Sequence, residues 1–384
     1  MAVRRLTLTD FRCYGSLRLM VGHEPVVLTG PNGAGKTNIL EALSFLIPGR
    51  GLRGAKLSEV ARRDADEPAD TARPWAVAAV VAGPAGDMEI GTGVTHDTEG
   101  EGGRDRRAVR VDGEAQRGQA ALSDYFSAQW LTPQMDRLFL EGPSGRRRFL
   151  DRMVFGRDSA HAGRINGYDH AMRERARLLA QGVRNDGWLD ALENNMAEKG
   201  VAIAAARLDM AGRLAHQLDQ AGDGAFPQAD LAVEGETEAW LADGSALAAE
   251  DKLRRAYFDN RRQDADAGRT ARGPHRTDLY IAHRGRGRPA ADCSTGEQKA
   301  LLISLVLAQA RLQAGEQGRT PVLLLDEVAA HLDETRRTAL FDEIRSIGLQ
   351  AWMTGTDRRL FDGLECGARF LHVDAAAVKD ADLS

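Results

Sequence analysis

Cysteine is scarce in this chain, and long apolar runs are missing. Only three of the 384 residues are cysteine, at Cys13, Cys293 and Cys366, and so few scattered thiols suit neither a disulfide framework nor a zinc cluster. No apolar run approaches the roughly 20 residues that a membrane-spanning helix needs. The first residues lead directly into a strand-like alternation rather than an apolar signal segment. We therefore expect a globular protein of the cytoplasm.

Lysine is also rare, since it supplies six of the 51 basic residues and arginine supplies the others. The guanidinium fork of arginine is suited to bidentate contacts with phosphate groups. The formal net charge is nevertheless −5, which argues against a protein that coats nucleic acid indiscriminately. Binding of nucleic acid is therefore expected to be local, or to depend on assembly.

The most informative stretch is 30–37, which fits the phosphate-binding pattern G-x-x-x-x-G-K-[ST]. An apolar run precedes it and an amphipathic segment follows it, so the loop is predicted to join a strand to a helix. In such a loop, backbone N–H groups cradle phosphates, the lysine reaches the β and γ phosphates, and the threonine offers its hydroxyl to Mg²⁺. A chance glycine turn is the alternative. The expected ATP-binding residues are Gly30, Pro31, Asn32, Gly33, Ala34, Gly35, Lys36, Thr37 and Asn38.

Strand-like and helix-like patterns alternate near both ends of the chain and predict an α/β fold. Residues 3–21 indicate a β-hairpin, and further strands are expected at 75–81, 88–94 and 108–111. The pattern is helical from about 157 to 265, where Gly200 and Gly212 are expected to interrupt a helix spanning 188–220. The predicted domains are an ATPase lobe at 1–140, a helical arm or lid at 141–267, and a second ATPase lobe at 268–384.

Two adjacent acids end a short apolar run near the C-terminus. Residues 322–325 are all apolar and are followed by Asp326 and Glu327, as in the Walker B strand that accompanies a phosphate-binding loop. Asp326 is expected to hold Mg²⁺, and Glu327 to orient and deprotonate the attacking water. Gln134, which ends another apolar run, is the candidate for a further contact with Mg²⁺ and this water. The alternative for these polar residues is an ordinary solvated strand end.

A serine and a glycine, Ser294 and Gly296, stand at the predicted start of an apolar helix. This stretch resembles the signature of ABC-type ATPases, in which a helix N-terminus binds a γ-phosphate. Ser294 with Glu297 three residues later is also a capping box, and both interpretations can hold together. Thr295 departs from the glycine that is usual at the third signature position.

Taken together, these segments resemble the RecF family of bacterial recombination mediators, in the ABC ATPase branch shared with SMC proteins. Gly-Pro-His-Arg-x-Asp, at 273–278, is the most family-specific of them. The others are Asp10-Phe11-Arg12, residues 33–43, residues 146–151 and residues 294–299.

This resemblance implies an ABC-type ATPase head, a P-loop mixed sheet with flanking helices, that carries an inserted, mainly helical arm or lid. It also implies slow ATP hydrolysis and an ATP-dependent homodimer, in which Ser294 of one copy completes the site built on Lys36 of the other. Binding to DNA at gaps and single/double-strand junctions follows from the same resemblance, as do RecR, RecO and RecA as partners.

Arginine clusters supply the candidate DNA surface, and Arg146, Arg147 and Arg148 are the first choice. Two other clusters are Arg104, Arg106, Arg107 and Arg110, and Arg284, Arg286 and Arg288. A solvated face is the alternative for each cluster. His275 and Arg276 are expected either to contact DNA or ATP, or to cap a turn.

Two other classes of protein compete with this interpretation. An ATPase subunit of a membrane transporter predicts a switch histidine after the last core strand, where this chain has Thr354 and Thr356. An SMC-like tether predicts long coiled coils, for which the helical stretch is too short.

Overall fold

The computed structural model describes residues 1–63, 73–83, 86–95, 106–182, 186–222, 224–317, 320–364 and 367–381. The strands are β1 Ala2–Phe11, β2 Tyr14–Met20, β3 Val26–Thr29, β4 Trp75–Gly83, β5 Gly86–Thr95, β6 Arg106–Val111, β7 Glu114–Ala115, β8 Ala128–Leu131, β9 Ala229–Glu234, β10 Asp278–His283, β11 Arg288–Pro289, β12 Val322–Leu325, β13 Ala351–Gly355, β14 Arg369–Asp374 and β15 Ala377–Asp380. The helices are α1 Lys36–Ser44, α2 Pro143–Phe155, α3 Ala160–Ala180, α4 Asp186–Ala221, α5 Glu236–Asp243, α6 Ala246–Asp259, α7 Arg261–Ala267, α8 Thr295–Gln317 and α9 Glu334–Ile347.

The chain divides into two compact units. The first comprises 1–136, 224–226 and 306–384, and the second comprises 137–223 and 227–305. No helix in the described ranges is long and apolar enough to cross a membrane.

A mainly parallel sheet forms one layer of the first unit, with the strand order β15-β14-β3-β13-β12-β8. Strands β14, β3, β13, β12 and β8 run parallel, and β15 pairs antiparallel with β14. Every residue of β3, β12 and β13 is buried, as expected for apolar strands covered on both faces. Because these strands are parallel, the residues that follow them meet at one edge of the sheet.

An antiparallel sheet forms the other layer of the first unit, with the order β2-β1-β4-β5-β6-β7. Its strands alternate buried and exposed positions, so one face packs inward. That face shares a core with α1 and the parallel sheet. Phe11, Phe45 and Trp75 meet edge to face there, with ring centroids 5.3–5.9 Å apart, and so join β1, β4 and the end of α1.

The second unit is helical, with a small antiparallel sheet of order β11-β10-β9. Residues of α3, α4 and α6 form its apolar core, including Tyr168, Met196 and Leu253. Two buried arginines, Arg175 and Arg207, bind carboxylates within it.

The structure confirms the predicted hairpin, β1–β2, and the strands now numbered β4, β5 and β6. It adds β9, β10 and β11, which were not predicted, to the part of the chain expected to be helical or loop. The residues between the predicted strands 88–94 and 108–111 include 96–105, which lie outside the described residues, as does Arg104 among them.

The expectation that Gly200 and Gly212 interrupt the central helix is wrong, because α4 is continuous through both. At Gly200 the reason is packing. A Cβ atom there would lie 2.9 Å from Leu253 Cδ2 and 3.3 Å from Pro274 Cδ, so the absence of a side chain allows α4 to pack closely. Gly212 faces open space and is simply tolerated within a helix that tertiary contacts stabilise.

Candidate nucleotide site

The phosphate-binding loop lies between β3 and α1, as predicted, at the edge of the sheet where the parallel strands end. Two of its glycines are required by geometry. Gly30 has φ 142°, and a Cβ atom there would lie 2.0 Å from the carbonyl oxygen of Val373. Gly35 has φ 115°, and a Cβ atom there would lie 2.6 Å from the hydroxyl of Tyr14. No other residue type fits these positions.

Lys36 is buried, with 5% of its surface exposed. Its Nζ donates hydrogen bonds to the carbonyl oxygens of Gly30, at 2.7 Å, and Pro31, at 2.8 Å. Burial lowers the pKa of Lys36, and the nearby carboxylates of Glu327 and Asp326 oppose that shift. The lysine is therefore a buried cation that carbonyl dipoles hold in place.

The acids that end β12 lie against the loop. Asp326 Oδ1 accepts hydrogen bonds from the hydroxyls of Thr37 and Thr354, each at 2.8 Å. The next residue, Glu327, has φ 55°, and its N–H donates to Thr354 Oγ1 at 2.9 Å. The structure thus brings together the predicted Mg²⁺ residues, Thr37 and Asp326, with the predicted base.

The other predicted residues of this region lie nearby in the same unit. Asn38 accepts a hydrogen bond on Oδ1 from Arg53 at 2.9 Å. Gln134 lies in a helical turn that follows β8, and its side chain is exposed. Strand β8 neighbours β12, and the N–H of Asp326 donates to the carbonyl oxygen of Leu131 at 2.9 Å. Gln134 therefore lies in the turn that follows the strand next to β12.

An ion cluster that includes Glu41 of α1 was not predicted, although the family resemblance included two of its members, Arg12 and Glu41. Glu41 is fully buried, and its carboxylate accepts hydrogen bonds from Arg12 at 2.5 and 2.8 Å and from Arg53 at 3.1 Å. The cluster fixes the helix that begins at Lys36. The available sequence signal was an acid among the apolar positions of an amphipathic helix, since a buried acid requires a cationic partner.

The predicted signature residues, Ser294 and Gly296, belong to the second unit and are exposed at the start of α8. Glu297 closes a capping box there, since its Oε2 accepts from the N–H and the hydroxyl of Ser294, both at 2.9 Å. These hydrogen bonds, together with Arg286 and Arg288, lower the pKa of Glu297 to about 2. The capping interpretation is confirmed.

The three arginines chosen as the first DNA surface lie on α2 in different environments. Arg146 binds both carboxylate oxygens of Asp278, at 2.7 and 2.8 Å. Arg147 donates to the carbonyl oxygen of Thr277 at 2.7 Å, and burial lowers its pKa. Arg148 is exposed. Arg148 is therefore the member of this cluster that is open to a ligand.

Arg107 and His275 have structural partners. The guanidinium of Arg107 donates to the carbonyl oxygens of Phe45, Ile47 and Gly49 at the end of α1, which corrects its place in the DNA surface. His275 Nδ1 lies 2.8 Å from the hydroxyl of Tyr168, and its Nε2 lies 2.9 Å from the carbonyl oxygen of Thr270. Both ring nitrogens are thus engaged within the second unit.

A glycine loop between β3 and α1, joined through Thr37 and Asp326 to the two acids that follow β12, defines a P-loop ATPase head. The family model described as the RecF/RecN/SMC N terminal domain matches residues 2–373. This chain belongs to that family, and within it to the family of the DNA replication and repair protein RecF, as its curated relatives show.

Two of those relatives bear the name DNA replication and repair protein RecF. The protein of Mesorhizobium japonicum is 48% identical over 98% of this chain and 97% of its own length. The protein of Brucella abortus is 50% identical over 97% of this chain and 95% of its own length. A solved structure of the recombination mediator protein RecF-ATPrS in the RecFOR pathway matches with a TM-score of 0.83 at 22% identity, covering 99% of this chain and 98% of that one. It supports the fold, an ABC-type ATPase head.

Proposed function

We propose that this protein is an ATP-dependent DNA-binding protein of recombinational repair and replication maintenance, in which slow ATP hydrolysis acts as a switch. The observation that carries the proposal is the 2.8 Å hydrogen bond from Thr37 to Asp326, because it unites the phosphate-binding loop with the acids of β12 in one site. Family membership supports the DNA-repair part of the proposal.

The residues present fit ATP and Mg²⁺. The backbone around Gly30 and Gly35 is a cradle that a Cβ atom would fill, and Thr37 and Asp326 supply the hydroxyl and carboxylate oxygens that Mg²⁺ takes alongside phosphate oxygens. When bound, Mg²⁺ would neutralise charge on the phosphates. In this proposal, Lys36 Nζ binds the terminal phosphates in place of the carbonyl oxygens of Gly30 and Pro31.

Glu327 is the proposed general base. Its side chain belongs to the residue directly after Asp326, so a water near the terminal phosphate lies within reach of a carboxylate. Gln134 is proposed to help orient that water from the turn that follows β8. Glu327 and Gln134 both belong to the first unit.

The signature residues are proposed to act between two copies of the chain. Ser294 and Gly296 are exposed at a helix N-terminus, and the positive end of the helix dipole favours anions there. A phosphate would displace the Glu297 carboxylate, which accepts from the N–H and the hydroxyl of Ser294. In an ATP-bound homodimer, Ser294 of one copy would contact the nucleotide held by Lys36 of the other. The two acidic chains would then bind DNA only as a dimer, at gaps and single/double-strand junctions. RecR, RecO and RecA are the proposed protein partners.

Sedimentation velocity tests the switch. The wild-type protein and the Glu327→Gln variant are measured with and without Mg²⁺-ATP and with a gapped DNA duplex. We expect ATP to convert the protein into a DNA-binding dimer, and the variant to hold that dimer longer because it binds ATP without hydrolysing it. A variant that stays monomeric with saturating ATP would contradict the shared site.

The proposed DNA surface rests on Arg148 and is tested by salt dependence. Arg148→Ala should weaken DNA binding and reduce the slope of log affinity against log salt by about 1 per copy. Arg255→Ala is the matched control, since Arg255 is an exposed arginine elsewhere in the second unit. An unchanged slope for Arg148→Ala would place the DNA surface elsewhere.

A further inference from the structure

Thr354 holds both acids of the candidate site with a single hydroxyl. Thr354 lies on β13 and is buried, with 1% of its surface exposed. Its Oγ1 donates to Asp326 Oδ1 at 2.8 Å and accepts the N–H of Glu327 at 2.9 Å. One donor and two acceptor positions are available to a hydroxyl, so both bonds form at once.

The second of these bonds supports an uncommon backbone conformation. Glu327 has φ 55°, a left-handed value that costs a non-glycine residue free energy and persists where surrounding contacts enforce it. The hydrogen bond from its N–H to Thr354 is such a contact. The conformation determines the direction in which the Glu327 side chain leaves β12.

The first bond gives Asp326 an anchor that does not depend on the phosphate-binding loop. The same carboxylate oxygen accepts from Thr37, a residue whose hydroxyl is needed by the ligand in the proposed function. Thr354 belongs to a neighbouring strand, and β12 and β13 pair in parallel with Leu325 opposite Met353. Its hydroxyl can therefore keep Asp326 oriented while Thr37 changes partner.

We propose that Thr354 is a positioning residue that acts through Asp326 and Glu327, rather than a sensor of the γ-phosphate. The inference rests on the proposed ATPase function. It assigns a role to one of the two threonines, Thr354 and Thr356, in the region where a transporter ATPase has its switch histidine. The role requires the hydroxyl rather than the shape of the side chain.

Thr354→Val and Thr354→Ser separate these two properties. Valine preserves the shape and removes the hydroxyl, whereas serine keeps the hydroxyl and removes the methyl group. We expect Thr354→Val to lower kcat for ATP about tenfold, as the loss of hydrogen bonds to charged and backbone groups predicts, with the Kd for ATP changed less than about twofold. Thr354→Ser should restore most of kcat. Thermal unfolding without nucleotide checks that each variant is folded.

A double-mutant cycle supplies a readout that is independent of turnover. Shifts of the unfolding midpoint are measured for Thr354→Val, Asp326→Asn and the double variant, all without ATP or metal. We expect the two shifts to be non-additive, because the residues share a hydrogen bond. Additive shifts, or an unchanged kcat in Thr354→Val, would overturn the inference.

The wild-type measurements distinguish this inference from the proposed function. A wild-type protein that hydrolyses ATP beside an equally active Thr354→Val overturns the role of Thr354 alone. A wild-type protein that binds no ATP overturns both.

Discussion

Two buried cations, Lys36 in the first unit and Arg175 in the second, have opposite surroundings. In the first, Lys36 is buried against two carbonyl oxygens. In the second, Arg175 is fully buried and binds the carboxylates of Glu193 and Asp264, at 2.8 and 2.7 Å, and a backbone carbonyl. Arg175 thus has its countercharges within the chain, whereas Lys36 is held by dipoles. Lys36, whose hydrogen bonds go to carbonyl oxygens rather than to carboxylates, is the one of the two that is prepared to bind an anionic ligand.

The largest effect on stability is expected from substituting Arg175, the buried cation that is paired with carboxylates. Arg175→Met removes the arginine from the buried carboxylate of Asp264 and leaves Glu193 with Arg261 alone, so the free energy of unfolding should fall by about 3–5 kcal/mol. Denaturant titration measures it. Arg177→Met is the control on the same helix, because Arg177 is exposed and pairs with Glu174 at the surface. Exposed pairs contribute less than about 1 kcal/mol. Equal losses in both variants would contradict the comparison.

Removing the positive charge of Lys36 should affect ligand binding rather than folding. Lys36→Met is expected to weaken ATP binding roughly 100-fold, through loss of charged hydrogen bonds to phosphate, while the unfolding midpoint changes little because the hydrogen bonds of Lys36 are to the carbonyl oxygens of Gly30 and Pro31 rather than to a carboxylate. Fluorescent-nucleotide titration and thermal unfolding give the two values. Lys379→Met, at an exposed position on β15, is the control. A strong loss of stability in Lys36→Met would show that both cations are structural.

The two helical glycines of α4 sharpen the account of the second unit. Gly212→Ala should raise the free energy of unfolding by about 0.5–1 kcal/mol, because alanine favours a helix and nothing lies near the added methyl group. Gly200→Ala should lose stability instead, by about 1–3 kcal/mol for an overpacked site, since Leu253 and Pro274 crowd that position. Denaturant unfolding of the pair measures both. Stabilisation by both substitutions would contradict the close packing.

The contrast between these glycines also shows what a sequence can predict. The phosphate-binding loop and the acids after β12 were found because their chemistry is local, and each motif lies within a few residues. The continuity of α4 was missed because Gly200 serves a contact with residues more than 50 positions away. Similarly, β9 and β10 are adjacent only in the fold, and the bond from Thr354 to Asp326 joins two strands. Such features depend on tertiary packing, which outweighs local propensity.

The smallest expected effect concerns His275, whose surroundings in the second unit are saturated like those of Arg175. Burial is the main reason that its pKa lies below the ordinary value of 6.5, and the hydrogen bond to Thr270 opposes this shift. The unfolded chain therefore binds a proton at a higher pH than the folded chain. The contribution of His275 to stability is complete above about pH 6.5 and is lost as the pH falls from there toward the folded-state pKa.

Unfolding midpoints at several pH values below 7 measure this dependence. His275→Gln should flatten the decline of stability with falling pH, because the amide does not titrate. His372→Gln should preserve the wild-type slope, since His372 is exposed on β14. A wild-type slope in His275→Gln would mean that another group in the second unit takes up the proton. In that case the two hydrogen-bonded ring nitrogens of His275 would not contribute to the stability of the fold in the way that the buried, ion-paired Arg175 does.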